Sequence, residues 1–373
     1  MKISISKNEF YNAIQTASHA ISQNSPLPSL RGIKIEAADD ALLITGSNAD
    51  ISIFITLKKN DKNNLTIMEE GAILIDARYL NDIVRKLDSD MINIEIIDGA
   101  LTKFTGVAAT FKINGMRPND YPSVDFSEPV NSISMPTADL LQTIDETVFA
   151  ASVKETRPIF TGVNVNLSDN VLTFTATDTF RMAKKKMELV SDASFNITIP
   201  AKSLNEVKST VLVNNPDTVK IALNDKKAQF ISGDILFQTR LLDGKYPDTS
   251  SIIPKAFTRF LVMNRMDLIR AIDRTTFIKN DNVSVNRLQC SENEVVLTNK
   301  SQEIGESYEQ LAASYTGEPL DISFTAMYVM EAAKAIPDMQ IKISFVEEMK
   351  QFILTSPDND NILQLVMPVK TFN

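Results

Sequence analysis

The chain has 373 residues, with 38 Lys and Arg against 47 Asp and Glu and a net charge of −9. That length suits two or three domains with cores of their own, and the sign of the charge excludes a protein whose whole surface grips a polyanion. One cysteine (Cys290), one histidine (His19) and no tryptophan exclude an intrachain disulfide and any multi-cysteine or multi-histidine metal site, so no metal and no cofactor is expected. The first residues lack the apolar core of a signal peptide, and no apolar run approaches the ~20 residues that span a bilayer. The expectation is a soluble cytoplasmic protein with no membrane contact.

In chain order, Ser6-Lys7-Asn8-Glu9 reads as a capping box opening a helix with Phe10, Ile14, Ala17 and Ile21 on one face. Ile51 to Ile55 and Ile92 to Ile96 alternate with the period of two of half-buried strands, and Asp76 caps a second helix carrying Tyr79, Leu80, Ile83, Val84 and Leu87 between them. Two further helical patterns follow, Leu140 to Val148 and Leu204 to Val211, with a strand at Val219 to Leu223. The last pair is Leu268 to Ile272 and Tyr328 to Ile336, the latter stopped by Pro337. Asp98-Gly99, Asn224-Asp225 and Ser232-Gly233-Asp234 mark turns.

The order of elements repeats. Leu30-Arg31-Gly32-Ile33, followed by Leu42-Leu43-Ile44-Thr45, is echoed by Phe160-Thr161-Gly162-Val163, followed by Leu172-Thr173-Phe174-Thr175. Asn119-Asp120-Tyr121-Pro122 is echoed by Gly244-Lys245-Tyr246-Pro247, and Val285 to Leu288 with Val295 to Thr298 is a fainter third copy. The period of roughly 125 residues is far longer than a solenoid repeat, so it describes whole domains. The expected fold is α+β: three repeated domains, residues 1–125, 126–250 and 251–373, each of antiparallel sheet with two helices.

Catalytic machinery is scarce. No Gly-rich phosphate loop is present, and neither His19 nor Cys290 lies in a nucleophile motif. Adjacent acids at Asp39-Asp40, Glu69-Glu70 and Glu347-Glu348 leave a carboxylate hydrolase as a rival reading, although a chain without tryptophan is poorly suited to stacking sugars. No enzyme is expected. All three thirds are net acidic, yet the helices lean cationic through Arg78, Arg85, Lys86, Lys202, Lys208, Arg270 and Arg274. From charge alone two readings stand: ordinary solvated helix faces, or a mildly basic surface that touches nucleic-acid phosphates without reading bases.

Several segments carry a specific resemblance: Glu155 to Val163, Ala176-Thr177-Asp178-Thr179-Phe180-Arg181-Met182-Ala183, Leu241 to Asp248 and Leu365 to Phe372. With the triplicated architecture, they resemble the bacterial sliding clamps, the beta subunits of the replicative DNA polymerase III holoenzyme. The resemblance implies the DNA clamp fold and a homodimer joined head to tail into a ring. Duplex DNA would pass through it without sequence preference. It implies a processivity factor that tethers the replicative polymerase, the clamp loader and repair proteins through short peptide motifs. The alternative is a non-catalytic interaction scaffold with no DNA role.

By position, the family's peptide pocket between the second and third domains would comprise Phe160, Thr177, Thr179, Phe180, Arg181, Met182, Pro247 and Ile252, with Tyr328, Leu365, Val366, Met367, Pro368, Val369 and Lys370. The DNA-facing set would be Arg78, Arg85, Lys86, Lys154, Lys202, Lys208, Arg270 and Arg274, and the subunit contact Phe111, Phe277 and Ile278. The chain departs from the family pattern in having Phe180 where His is common and Lys370 where Arg is usual. Lysine cannot form the same planar fork. Ser251 stands where some members carry arginine.

Overall fold

The computed structural model describes residues 1–212 and 216–370; Thr371 and Phe372 of the C-terminal motif lie outside the described residues. Six α-helices are present among the described residues: α1 (Lys7–Ser18), α2 (Ala77–Lys86), α3 (Thr137–Thr147), α4 (Ala201–Thr210), α5 (Arg265–Thr275) and α6 (Ala326–Lys334). Two fall in each third of the chain, as the apolar periodicity predicts. Asp76 caps α2 as expected, its Oδ1 accepting the N–H groups of Arg78 at 3.0 Å and Tyr79 at 3.4 Å. The capping box at α1 does not form: Ser6 makes no side-chain cap bond, and Glu9 turns instead to Lys62 at 3.1 Å.

Every strand pairing among the described residues is antiparallel, and two of the four sheets cross the boundaries of the sequence repeats. The chain separates into two compact units. In the first, Met1–Asp139 with Asn205–Leu241, an eight-stranded sheet runs in the order 131–136, 218–223, 227–232, 235–240, 51–58, 41–47, 32–38, 71–76. A five-stranded sheet runs 66–69, 2–6, 91–98, 101–105, 110–114. Strands from the first and second repeats therefore share one ladder, with Ile235 opposite Ile55 and Thr239 opposite Ile51. Phe10, Ile14, Phe104, Phe230 and Phe237 are fully buried in this unit. Each such side chain contributes about 1.5–3 kcal/mol relative to exposure.

The second unit comprises Leu140–Leu204 and the chain from Leu242 on. Its nine-stranded sheet runs 195–200, 162–168, 171–177, 181–188, 362–366, 352–355, 340–345, 259–264, 313–316. A four-stranded sheet runs 305–310, 295–301, 285–290, 320–325. Here the second and third repeats share a ladder, Arg181 opposite Val366 through Lys185 opposite Ile362. The apolar faces of α5 and α6 close over a core in which Phe352 lies 5.8 Å from Phe324 and 5.3 Å from Phe345, ring centre to ring centre. Cys290 is buried in it, and burial pushes its thiol up to about 12.

α1 lies hard against the strand 41–47: a Cβ on Gly46 would stand 2.2 Å from the carbonyl oxygen of Ala17. Backbone meets backbone, so no side chain can rotate away. Gly46→Ala is expected to lower unfolding stability by about 2 kcal/mol or more, read as a reduced urea midpoint at constant slope.

Candidate functional site

The site is built from the turn between strands 171–177 and 181–188. Asp178 Oδ1 accepts the N–H groups of Phe180 and Arg181, both at 2.9 Å, and Oδ2 accepts Arg181 Nε at 3.0 Å. Thr177 Oγ1 accepts the Thr179 N–H at 3.1 Å and donates to the Arg181 carbonyl at 2.6 Å. These bonds hold Thr179 at φ +79°, a left-handed conformation that a β-branched residue adopts only when its surroundings enforce it. The result lifts Phe180 outward, 56% exposed. The first repeat has the same turn: Asn48 Oδ1 accepts from Asp50 and Ile51, Ser47 Oγ accepts from Ala49, and Ala49 has φ +79°.

Arg181 turns the other way and is enclosed. Its guanidinium pairs with Asp178 and with Glu331 of α6, and donates to the Phe149 carbonyl at 2.7 Å. It lies over the rings of Tyr328 at 4.7 Å and Phe149 at 5.3 Å, geometry that favours a cation further. Two carboxylates face one guanidinium, so Arg181 presents no free positive charge. Sequence reasoning named Arg181 and Tyr328 but missed Asp178, Phe149 and Glu331. Asp178 was legible as an aspartate three residues before an arginine in a turn. Glu331, 150 positions away, was not.

The remaining pocket positions divide by exposure. Phe160 packs edge-on to Tyr246, ring centres 5.9 Å apart, and burial holds the Tyr246 phenol well above its ordinary range. Met182 and Leu365 face each other across the ladder and form a buried cluster with Ile353, against which Ile253, Phe257 and Leu363 pack. Phe180, Pro247, Ile252 and Met367 are exposed, Pro368 and Val369 half-buried and Lys370 exposed. Val366 is a correction: its side chain is fully buried in the core beneath α5 and α6, so this position offers its backbone alone. The C-terminal segment is held at both ends, the Met367 N–H on the Phe180 carbonyl at 2.9 Å and the Val369 N–H on the Ser323 carbonyl at 2.8 Å.

Beneath the site lies a buried ion pair. Lys185 Nζ is 2.8 Å from Glu146 Oε2, with side chains 13% and 3% exposed. Gln142 donates to the other carboxylate oxygen at 2.6 Å, and Gln364 Nε2 donates to the Glu146 carbonyl at 2.9 Å. This network ties α3 to two strands.

The cationic helix residues are placed as follows. Arg78, Arg85, Lys86, Lys154, Lys202, Arg270 and Arg274 are exposed and Lys208 half-buried. Several hold partners of their own: Arg85 binds Asp82 at 2.7 Å, Arg270 lies 4.0 Å from Asp267, and Arg78 stacks on Tyr79 at 4.5 Å. Arg274 makes a two-pronged pair with Glu309, 2.7 Å on each arm, which raises its pKa. Arg274 is thus shared with the strand 305–310, its side chain still 56% exposed. For the subunit contact, Phe277 is 66% exposed and Phe111 half-buried on an edge strand, but Ile278 is only 2% exposed. The expectation for Ile278 is corrected: it follows the last turn of α5 inward, its N–H on the Thr275 carbonyl at 3.0 Å. Among the described residues no group of three His, Cys, Asp or Glu is placed to hold a metal ion, and no helix is long and apolar enough to cross a membrane.

The chain matches the models of the DNA polymerase III beta subunit: its N-terminal domain over residues 1–125, its central domain over 134–248 and its C-terminal domain over 250–370. It is 37% identical to the beta sliding clamp of Bacillus subtilis over 379 residues, covering all of both chains. This chain belongs to the bacterial beta sliding clamp family. The crystal structure of the DNA polymerase sliding clamp from Bacillus subtilis superposes with a TM-score of 0.96 at 36% identity, and that of the DNA polymerase beta subunit of Streptococcus pyogenes with 0.95 at 33%, each over the whole of both chains. The fold is the three-domain α+β clamp, and the function is that of a beta clamp, the processivity factor of DNA polymerase III. Beta clamps are non-catalytic polymerase subunits, which accounts for the scarcity of catalytic motifs.

Removing Glu146 leaves Lys185 buried without its counter-charge. Glu146→Ala is expected to cost about 3–5 kcal/mol, and the double variant Glu146→Leu, Lys185→Met to recover most of it, read from urea unfolding curves.

Proposed function

We propose that this clamp works as a head-to-tail homodimer closed into a ring around duplex DNA. Its three domains follow the repeats at 1–125, 126–250 and 251–373. The observation that carries the reading is a pair of open, dissimilar sheet edges. Among the described residues, strand 110–114 pairs only with 101–105, and strand 305–310 only with 295–301. Exposed edges template pairing with another chain. Their charges differ in sign: the first carries Lys112, opposite Lys103 of the neighbouring strand, and the second carries Glu306 and Tyr308, the latter 64% exposed, beside Glu309, which Arg274 holds. Phe111 lies on the first edge, and Phe277 offers an apolar side chain in the same unit as the second. A contact between unlike edges either closes into a ring or grows into a fibre; two such contacts per pair close it.

Attachment to DNA is then topological. Arg78, Arg85, Lys86, Lys154, Lys202, Lys208 and Arg270 touch phosphates weakly, because Asp82 and Asp267 already share their nearest cations. Contacts that are weak and blind to sequence let the ring slide. Partners, namely the replicative polymerase, the clamp loader and repair proteins, dock short apolar peptides on the surface around Phe180, Pro247, Ile252 and Met367. The protein acts in the cytoplasm, where replication takes place.

Phe277→Asp is expected to give a folded monomer with unchanged circular dichroism, seen as a halved mass in sedimentation; an unchanged mass counts against the edge assignment. Clamps loaded on nicked circular DNA are expected to stay bound through gel filtration at 0.5 M salt and to leave once the circle is cut. Equal loss before and after cutting favours a scaffold with no DNA role.

A further inference from the structure

We propose that Lys184 and Lys186 form an acid-binding strip continuous with the apolar pocket, so that partner peptides carry carboxylates about two and four residues from their apolar anchor. The inference rests on the peptide-pocket reading above.

On the strand 181–188, side chains alternate between the two faces of the sheet. Arg181 and Lys185 share one face, and each is met there by carboxylate: Asp178 and Glu331 for Arg181, Glu146 for Lys185. Met182, Lys184 and Lys186 share the other. Met182 belongs to the apolar cluster with Ile353 and Leu365, and Lys184 stands directly opposite Leu363, which packs on that cluster. Lys184 is half-buried, and among the described residues neither it nor Lys186 has a carboxylate within 4.0 Å. Burial and the neighbouring Lys186 both lower the Lys184 pKa, with Asp248 the one opposing charge. In a chain whose net charge is −9, these are two cations on one strand face without close counter-charges, unlike the helix cations Arg85, Arg270 and Arg274, which are held by Asp82, Asp267 and Glu309.

A partner's carboxylate would supply the missing charge at a partly desolvated position, where an ion pair is screened less than on open surface. At about 3.4 Å per residue, Lys184 and Lys186 lie roughly 7 and 14 Å along the strand from Met182. An extended peptide anchored at the cluster meets them with its second and fourth neighbouring residues. Glu188, next on the same face and exposed, limits the strip by repelling any acid further on. Arg181, already enclosed by two carboxylates, is excluded as the acid receptor.

The test uses the full chain and an array of synthetic peptides whose two-residue anchors are drawn from Leu, Ile, Met and Phe, each flanked at the second and fourth positions by Glu, Gln or Lys. Anchors that bind are measured by fluorescence anisotropy. In 50 mM salt the Glu-flanked peptide is expected to bind about five- to tenfold more tightly than its Gln counterpart, the gap falling below about twofold at 0.5 M salt. Lys184→Gln with Lys186→Gln removes the gap while leaving the affinity of the Gln peptide unchanged. Lys184→Glu with Lys186→Glu transfers the preference to the Lys-flanked peptide. Equal affinity of Glu and Gln peptides for the unaltered clamp, or a Glu preference that survives both double variants, overturns the strip and leaves the pocket reading standing. Binding by no anchor at all overturns the pocket reading and the strip with it.

Discussion

The ladder between strands 181–188 and 362–366 is the constraint on which the candidate site depends. Arg181 lies opposite Val366 and Lys185 opposite Ile362, so segments about 180 positions apart in the chain are fixed in register. A slip by one residue would send every side chain to the other face. Met182 would leave its apolar cluster, Arg181 would lose Glu331, and Lys185 would part from Glu146. The register itself is secured by burial on both sides, with Val366 in the core beneath α5 and α6 and Leu365 in the cluster with Met182 and Ile353.

The turn that begins this strand shows how local chemistry serves a distant purpose. A left-handed threonine is unfavourable alone, yet Asp178 and Thr177 bond nearly every polar group around it. The strain yields two side chains aimed in opposite directions: a phenylalanine held out toward solvent and an arginine drawn inward onto Tyr328 and Phe149. One short loop thereby supplies both an exposed contact and an internal brace.

Much of this was legible in the sequence. The α+β class, the six helices and the half-buried strands followed from periodicity, and the repeat at Leu30 and Phe160 marked equivalent positions in equivalent sheets. The proposed pocket residues rest on motif resemblance, which locates a position but does not orient its side chain. Val366 and Ile278 therefore looked available and proved buried, since alternation along a strand and the last turn of a helix decide which way an apolar residue faces. Glu331 and Phe149 were invisible because long-range pairing alone brings them to Arg181. Ser6 and Glu9 spelled a capping box, and Lys62, from a distant loop, took the glutamate instead. Helix cations were counted correctly by type, but charge counting gave no hint that Glu309 holds Arg274.

The duplicated turn has a bearing on stoichiometry. Both copies keep the same backbone path, with Ala49 and Thr179 at the same φ, but their surroundings have diverged. Where the second copy sets Met182, Leu365 and Ile353 side by side, the first sets Ser52, Gln238 and Gln229 in the matching ladder positions. Gln229 binds Gln238 at 2.8 Å and the carbonyls of Phe126 and Ser127 at 3.2 and 3.1 Å; Phe126 in turn stacks on Phe54 at 5.0 Å. The ancestral duplication has thus left one greasy berth and one sealed by the chain's own connector. On the pocket reading proposed above, each polypeptide takes one visitor at a time.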